Sequence, residues 1–131
     1  MLEQKEVIYN SNLHFEHELW RSELLFWESE LRFFTKRLEE LVMRRTDKNV
    51  LVQLEHYQNQ FIYHKEVIDT LQHDINVHET DLNEHSIRKE NVLNHALVKK
   101  HLEFRNRIET QRNIYADLKK EFFSFLSKHI K

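Results

Sequence analysis

The chain has 131 residues, enough for one domain with a buried core, and contains no Gly, Pro or Cys. Those absences exclude tight glycine turns and phosphate-cradling loops. They also exclude disulfides, thiolate metal sites and cysteine nucleophiles, and what remains is long helices joined by short polar turns. Net charge is −2, so composition points to no nucleic-acid partner. No stretch approaches a membrane span and no N-terminal run resembles a secretory leader, so the expectation is a cytoplasmic protein that engages no membrane.

Charge is unevenly spread. Residues 1–46 carry seven basic and nine acidic groups, residues 47–85 two and eight, and residues 86–131 eleven and five. A net-acidic middle segment beside a basic last one favours pairing within the chain. Lys and Arg of the last segment are interleaved with Glu, which makes a poor phosphate track.

The first predicted helix spans about 11–45. Its apolar ladder, Leu13, Trp20, Leu24, Trp27, Leu31, Phe34, Leu38 and Leu41, steps alternately by four and three, with His17 at the right phase. Thr46 and Asp47 have the chemistry of helix N-caps. The second helix spans about 48–85, with Val50, Leu54, Tyr57, Phe61, Ile68, Leu71, Ile75 and Leu82 on its stripe and His64, His78 and His85 among them. Ser86 reads as the cap of a third helix over about 87–129. That helix carries Ile87, Leu97, Phe104, Ile108, Tyr115, Leu118, Phe122 and Phe125, with Glu90, Asn94, His101, Gln111 and His129 in phase.

The ladders fit one another. Leu41 with Leu54, Phe34 with Phe61, Trp27 with Ile68, Trp20 with Ile75 and His17 with His78 step together in opposite directions. The third ladder closes on them, giving an all-α, antiparallel up-down-up three-helix bundle with coiled-coil-like packing. Most layers are apolar. Leu31/His64/Gln111 is a polar interruption that reads as a device specifying register. One end is different: Trp20/Ile75/His101, His17/His78/Leu97, Leu13/Leu82/Asn94 and Asn10/His85/Glu90.

Imidazole ligates Zn, Cu and Fe. Metal ligands are therefore expected at His17, His78 and His101, completed by His85 or Glu90, with Asp81 or Asn94 fixing ring tautomers and Asp74 and His14 nearby. The other readings of this end are a wet bundle terminus whose histidines are simply hydrogen-bonded, and a histidine pH switch. No Glu-x-x-His or His-Glu-x-x-His motif occurs, which excludes the ferritin-like and zincin patterns. No catalytic motif is found, and an activity is conceivable only through a bound metal and its water.

Helix 1 carries a second ladder on its outer side: Ile8, Asn12, Phe15, Leu19, Ser22, Phe26, Ser29 and Phe33. A helix apolar on two faces is expected to bury both. Antiparallel pairing with a second copy sets Ser22 against its counterpart, Phe26 against Leu19 and Phe15 against Ser29, so a homodimer through helix 1 is expected. The alternative to metal binding is a non-catalytic scaffold or interaction module that acts through this face.

Overall fold

The computed structural model describes residues 10–44, 47–87 and 95–130. Among them are three α-helices, α1 (Asn10–Arg44), α2 (Lys48–Ile87) and α3 (His95–His129), and no strand. At ~1.5 Å rise per residue each is a rod of roughly 50–60 Å. Without Gly or Pro nothing in their interiors breaks them. Asp47 caps the start of α2: its Oδ1 accepts the N–H of Asn49 at 2.8 Å and its carbonyl accepts that of Leu51 at 3.0 Å. This is N-cap geometry, satisfying donors that the first turn of α2 would otherwise leave open. Thr46 lies outside the described residues.

Ser86 does not start a helix. The backbone of α2 continues through it to Ile87, which corrects the boundary expected there. The physical reason is that a lone Ser costs a helix interior only a few tenths of a kcal/mol, and no Gly or Pro follows to stop it.

The ladders form the core. Leu24, Leu54, Ile68, Ile75 and Ile108 are fully buried, and Phe34 rests against Phe61 and Phe122 with ring centroids 5.6 and 5.5 Å apart. Burying each such side chain contributes about 1.5–3 kcal/mol. His64 sits in mid-core, where Gln111 Nε2 donates to its Nδ1 at 2.6 Å. That contact is the polar pair expected from the sequence, and burial lowers the His64 pKa.

Helices α1 and α2 pack with the expected register: His17 faces His78 and Phe34 faces Phe61. Helix α3 lies parallel to α1, and a ladder of ion pairs shows it. Glu16, Glu23 and Glu30 on α1 pair with Arg105, Arg112 and Lys119 on α3, always across 89 residues. A constant difference in residue number is the signature of parallel helices.

The same ladder corrects the register of α3. It sits one layer, roughly 3.5 residues, from the expected alignment. His101 shares the layer of His17 and His78 in place of Leu97. Leu97 instead packs on Leu13 and Leu82, and Phe104 lies beside Trp20. Parallel helices set like heptad positions side by side, and the seven-residue spacing of the Glu and Arg/Lys flanks selects this alignment over its neighbour.

Candidate metal centre

Three histidines, one from each helix, form a single polar layer inside an apolar column. His17 is 0%, His78 0% and His101 1% exposed. Below them lie Trp20, Ile75 and Phe104, the top of the main core; beyond them Leu13 and Leu82 close the column with Leu97 and Val98. The rings are mutual neighbours, with centroids 5.1 Å apart for His17–His78, 5.0 Å for His17–His101 and 5.6 Å for His78–His101. Trp20 stacks on His101 and Phe104 on His78, which fixes both ring planes.

Two carboxylates hold the layer from outside. Glu79 on α2 bridges His17 and His14 on α1, each through Nδ1 at 2.6 Å. Glu16 on α1 takes Nε2 of His101 at 2.7 Å and is clamped through both oxygens by Arg105 at 2.8 and 2.9 Å. A carboxylate accepts only, so the proton of His17 rests on Nδ1 and that of His101 on Nε2. Their lone pairs are then on His17 Nε2 and His101 Nδ1. Both of those atoms, and both nitrogens of His78, are buried without a hydrogen-bond partner. Such orphaned polar atoms are rare inside proteins and each costs free energy.

Electrostatics keep the trio neutral. Burial is the main force lowering the His17 and His101 pKa values, and it outweighs the opposing pull of Glu79 and Glu16. His78, with no carboxylate bonded to it, is pushed furthest, to about 4, first by burial and then by the nearby His17 and His101. Burial works against the Glu16 and Glu79 carboxylates too. Arg105 and then His101 overcome it for the first, His17 and then His14 for the second, and both pKa values fall. At neutral pH the layer is three neutral imidazoles flanked by two carboxylates.

One nitrogen from each of His17, His78 and His101 lies within 4.8 Å of the other two, so the cluster could hold a metal ion. Metal–nitrogen bonds of ~2.0–2.1 Å put tetrahedral donors roughly 3.4 Å apart, so the rings would draw inward around an ion. Carboxylate–histidine–metal relays of the kind that Glu79 and Glu16 would form are the usual way to fix tautomer and raise ligand basicity.

Of the residues expected at the site, His17, His78 and His101 come together. Glu90 and the side chain of His85 lie outside the described residues, as does Asn94. Asp81 is exposed and Asp74 instead pairs with Arg107 at 3.0 Å. Sequence reasoning missed the roles of Glu16, Glu79 and Arg105. Their signal was positional: each flanks the apolar seam, where a side chain reaches the neighbouring helix. No helix among the described residues is long and apolar enough to cross a membrane. No family model matches the chain, and no curated protein or solved structure matches it either.

Proposed function

We propose that this protein binds one transition-metal ion per chain in its core, through His17 Nε2, His101 Nδ1 and one nitrogen of His78. The observation that carries this reading is the pattern of paired and orphaned imidazole nitrogens. Glu79 and Glu16 occupy one nitrogen each on His17 and His101, the other nitrogens are buried and unpartnered, and the three rings each offer a nitrogen within 4.8 Å of the other two. An all-imidazole donor set suits zinc or copper, whereas iron(II) sites of the oxygenase kind include a carboxylate ligand. Closure by Leu13 and Leu82 supports an ion held within the fold over one that a substrate reaches. Metal binding would then add directly to folding stability.

Elemental analysis of untagged protein, purified without chelator, tests this. About one equivalent of zinc or copper per chain is expected, and loss of it in His78→Ala. Protein that carries no metal, and takes up none when titrated with Zn, Cu or Fe, would reduce the three histidines to core groups.

A further inference from the structure

Among the described residues, nothing covers the outer face of α1. Phe15, Leu19, Leu25, Phe26 and Phe33 lie along it, 53% to 71% exposed. Three phenylalanines of ~200 Å² and two leucines at that exposure present on the order of 500 Å² of apolar surface. Isolated exposed apolar residues need no explanation, but a continuous stripe of this size does.

We propose that this face docks, antiparallel, on the same face of a second copy of the chain. The pattern is self-complementary. In an antiparallel helix pair each layer joins the two alternating seam positions, one from each helix. That rule places Phe26 against the other copy's Ser22, Leu19 against its Ser29 and Phe15 against its Phe33, so bulk meets small side chains at four of the six layers. It differs from the alignment expected from sequence, which set like positions against one another. On the α2 side of the stripe the same alignment brings Leu25 onto its own counterpart at the two-fold axis. It also brings Glu18 onto Arg32 of the other copy, twice by symmetry. Glu18 and Arg32 are exposed and make no ion pair among the described residues. On the α3 side the flank is Glu16, Glu23 and Glu30, already matched by Arg105, Arg112 and Lys119, so no bare like charges confront one another. Covering both stripes buries about 1,000 Å², which is where specific interfaces begin.

The chain's lack of cysteine makes the axis directly testable. Sedimentation of the wild-type chain at ~100 µM is expected to give a dimer, and Phe26→Glu, with unchanged helical circular dichroism, a monomer. Leu25→Cys is expected to oxidise readily to a covalent dimer, and Ser22→Cys to do so at least tenfold more slowly. Glu18→Arg and Arg32→Glu should each weaken association, and the double variant should regain it. A wild-type monomer, an unchanged mass in Phe26→Glu, preferential cross-linking at Ser22→Cys, or no rescue in the double variant would each overturn the proposed docking.

Discussion

Replacing His78 with leucine should make the metal-free protein more stable while removing its metal. Both ring nitrogens of His78 are buried and unpartnered. Each such group costs about 1–3 kcal/mol relative to being satisfied. Leucine is close in volume and has nothing to satisfy, and a misfit of shape takes back at most about 1.5 kcal/mol. The expected gain for His78→Leu at pH 7, in chelator, is about 3 kcal/mol, or an upward Tm shift of roughly 10 °C for a chain of this size. The gain should grow in acid. The unfolded histidine titrates at 6.5 and the folded one at about 4. At pH 5 the wild-type chain therefore carries a further penalty of about 2 kcal/mol that leucine does not. Adding zinc or copper should reverse the order, stabilising the wild type by an amount that rises with free metal and leaving His78→Leu unmoved. Urea unfolding followed by circular dichroism, at both pH values with and without metal, reads all of this. A His78→Leu variant less stable than wild type in chelator at both pH values would show that the His78 nitrogens are not a burden, and would refute the reasoning that a ligand is needed to satisfy them.

Acid should destabilise the metal-free protein. Every resolved shift in the trio and at His64 is downward, so the unfolded chain binds protons first. Stability is expected to be full above pH 6.5 and to fall by about 3 kcal/mol toward pH 4 from His78 alone; a flat profile in chemical unfolding would contradict this. Glu79→Gln should keep metal stoichiometry and weaken affinity about 10–100-fold in competition with a chelating dye, since the relay to His17 loses its charge; unchanged affinity would remove Glu79 from the site. Gln111→Leu strands the Nδ1 of buried His64 and should cost about 1–3 kcal/mol, with His64→Leu in addition recovering most of it; additive losses would break the pairing. Arg112→Glu should be rescued by Glu23→Arg in a double-mutant cycle, with a coupling below about 1 kcal/mol for so exposed a pair; zero coupling would put α3 in the neighbouring register.

The helices and the α1–α2 alignment were legible in the sequence because alternating steps of three and four leave one way to bury Trp20, Trp27 and Phe34 against Ile75, Ile68 and Phe61. The alignment of α3 was not, because its stripe is apolar in either of two registers one layer apart. Only the flanking charges separate them, and those become informative once α1 and α3 are known to run parallel. The consequence for the site was large: one layer of slip brings His101 level with His17 and His78. Glu16 and Glu79 were hidden for a related reason. Each stands next to a core histidine in the sequence, yet each reaches a histidine of a neighbouring helix, and adjacency along the chain says nothing about that. Asp81 and Asp74 share the His78 face by helical spacing but hold no ring: Asp81 is exposed and Asp74 pairs with Arg107 of α3.

X-ray absorption on protein loaded with one equivalent of zinc tests the metal centre most directly. A first shell of about three nitrogens at ~2.0 Å, with imidazole outer-shell scattering that is lost in His17→Ala and His101→Ala alike, is expected. A shell of oxygens, or one indifferent to those substitutions, would mean that zinc binds elsewhere and that the buried histidine layer is not a metal site.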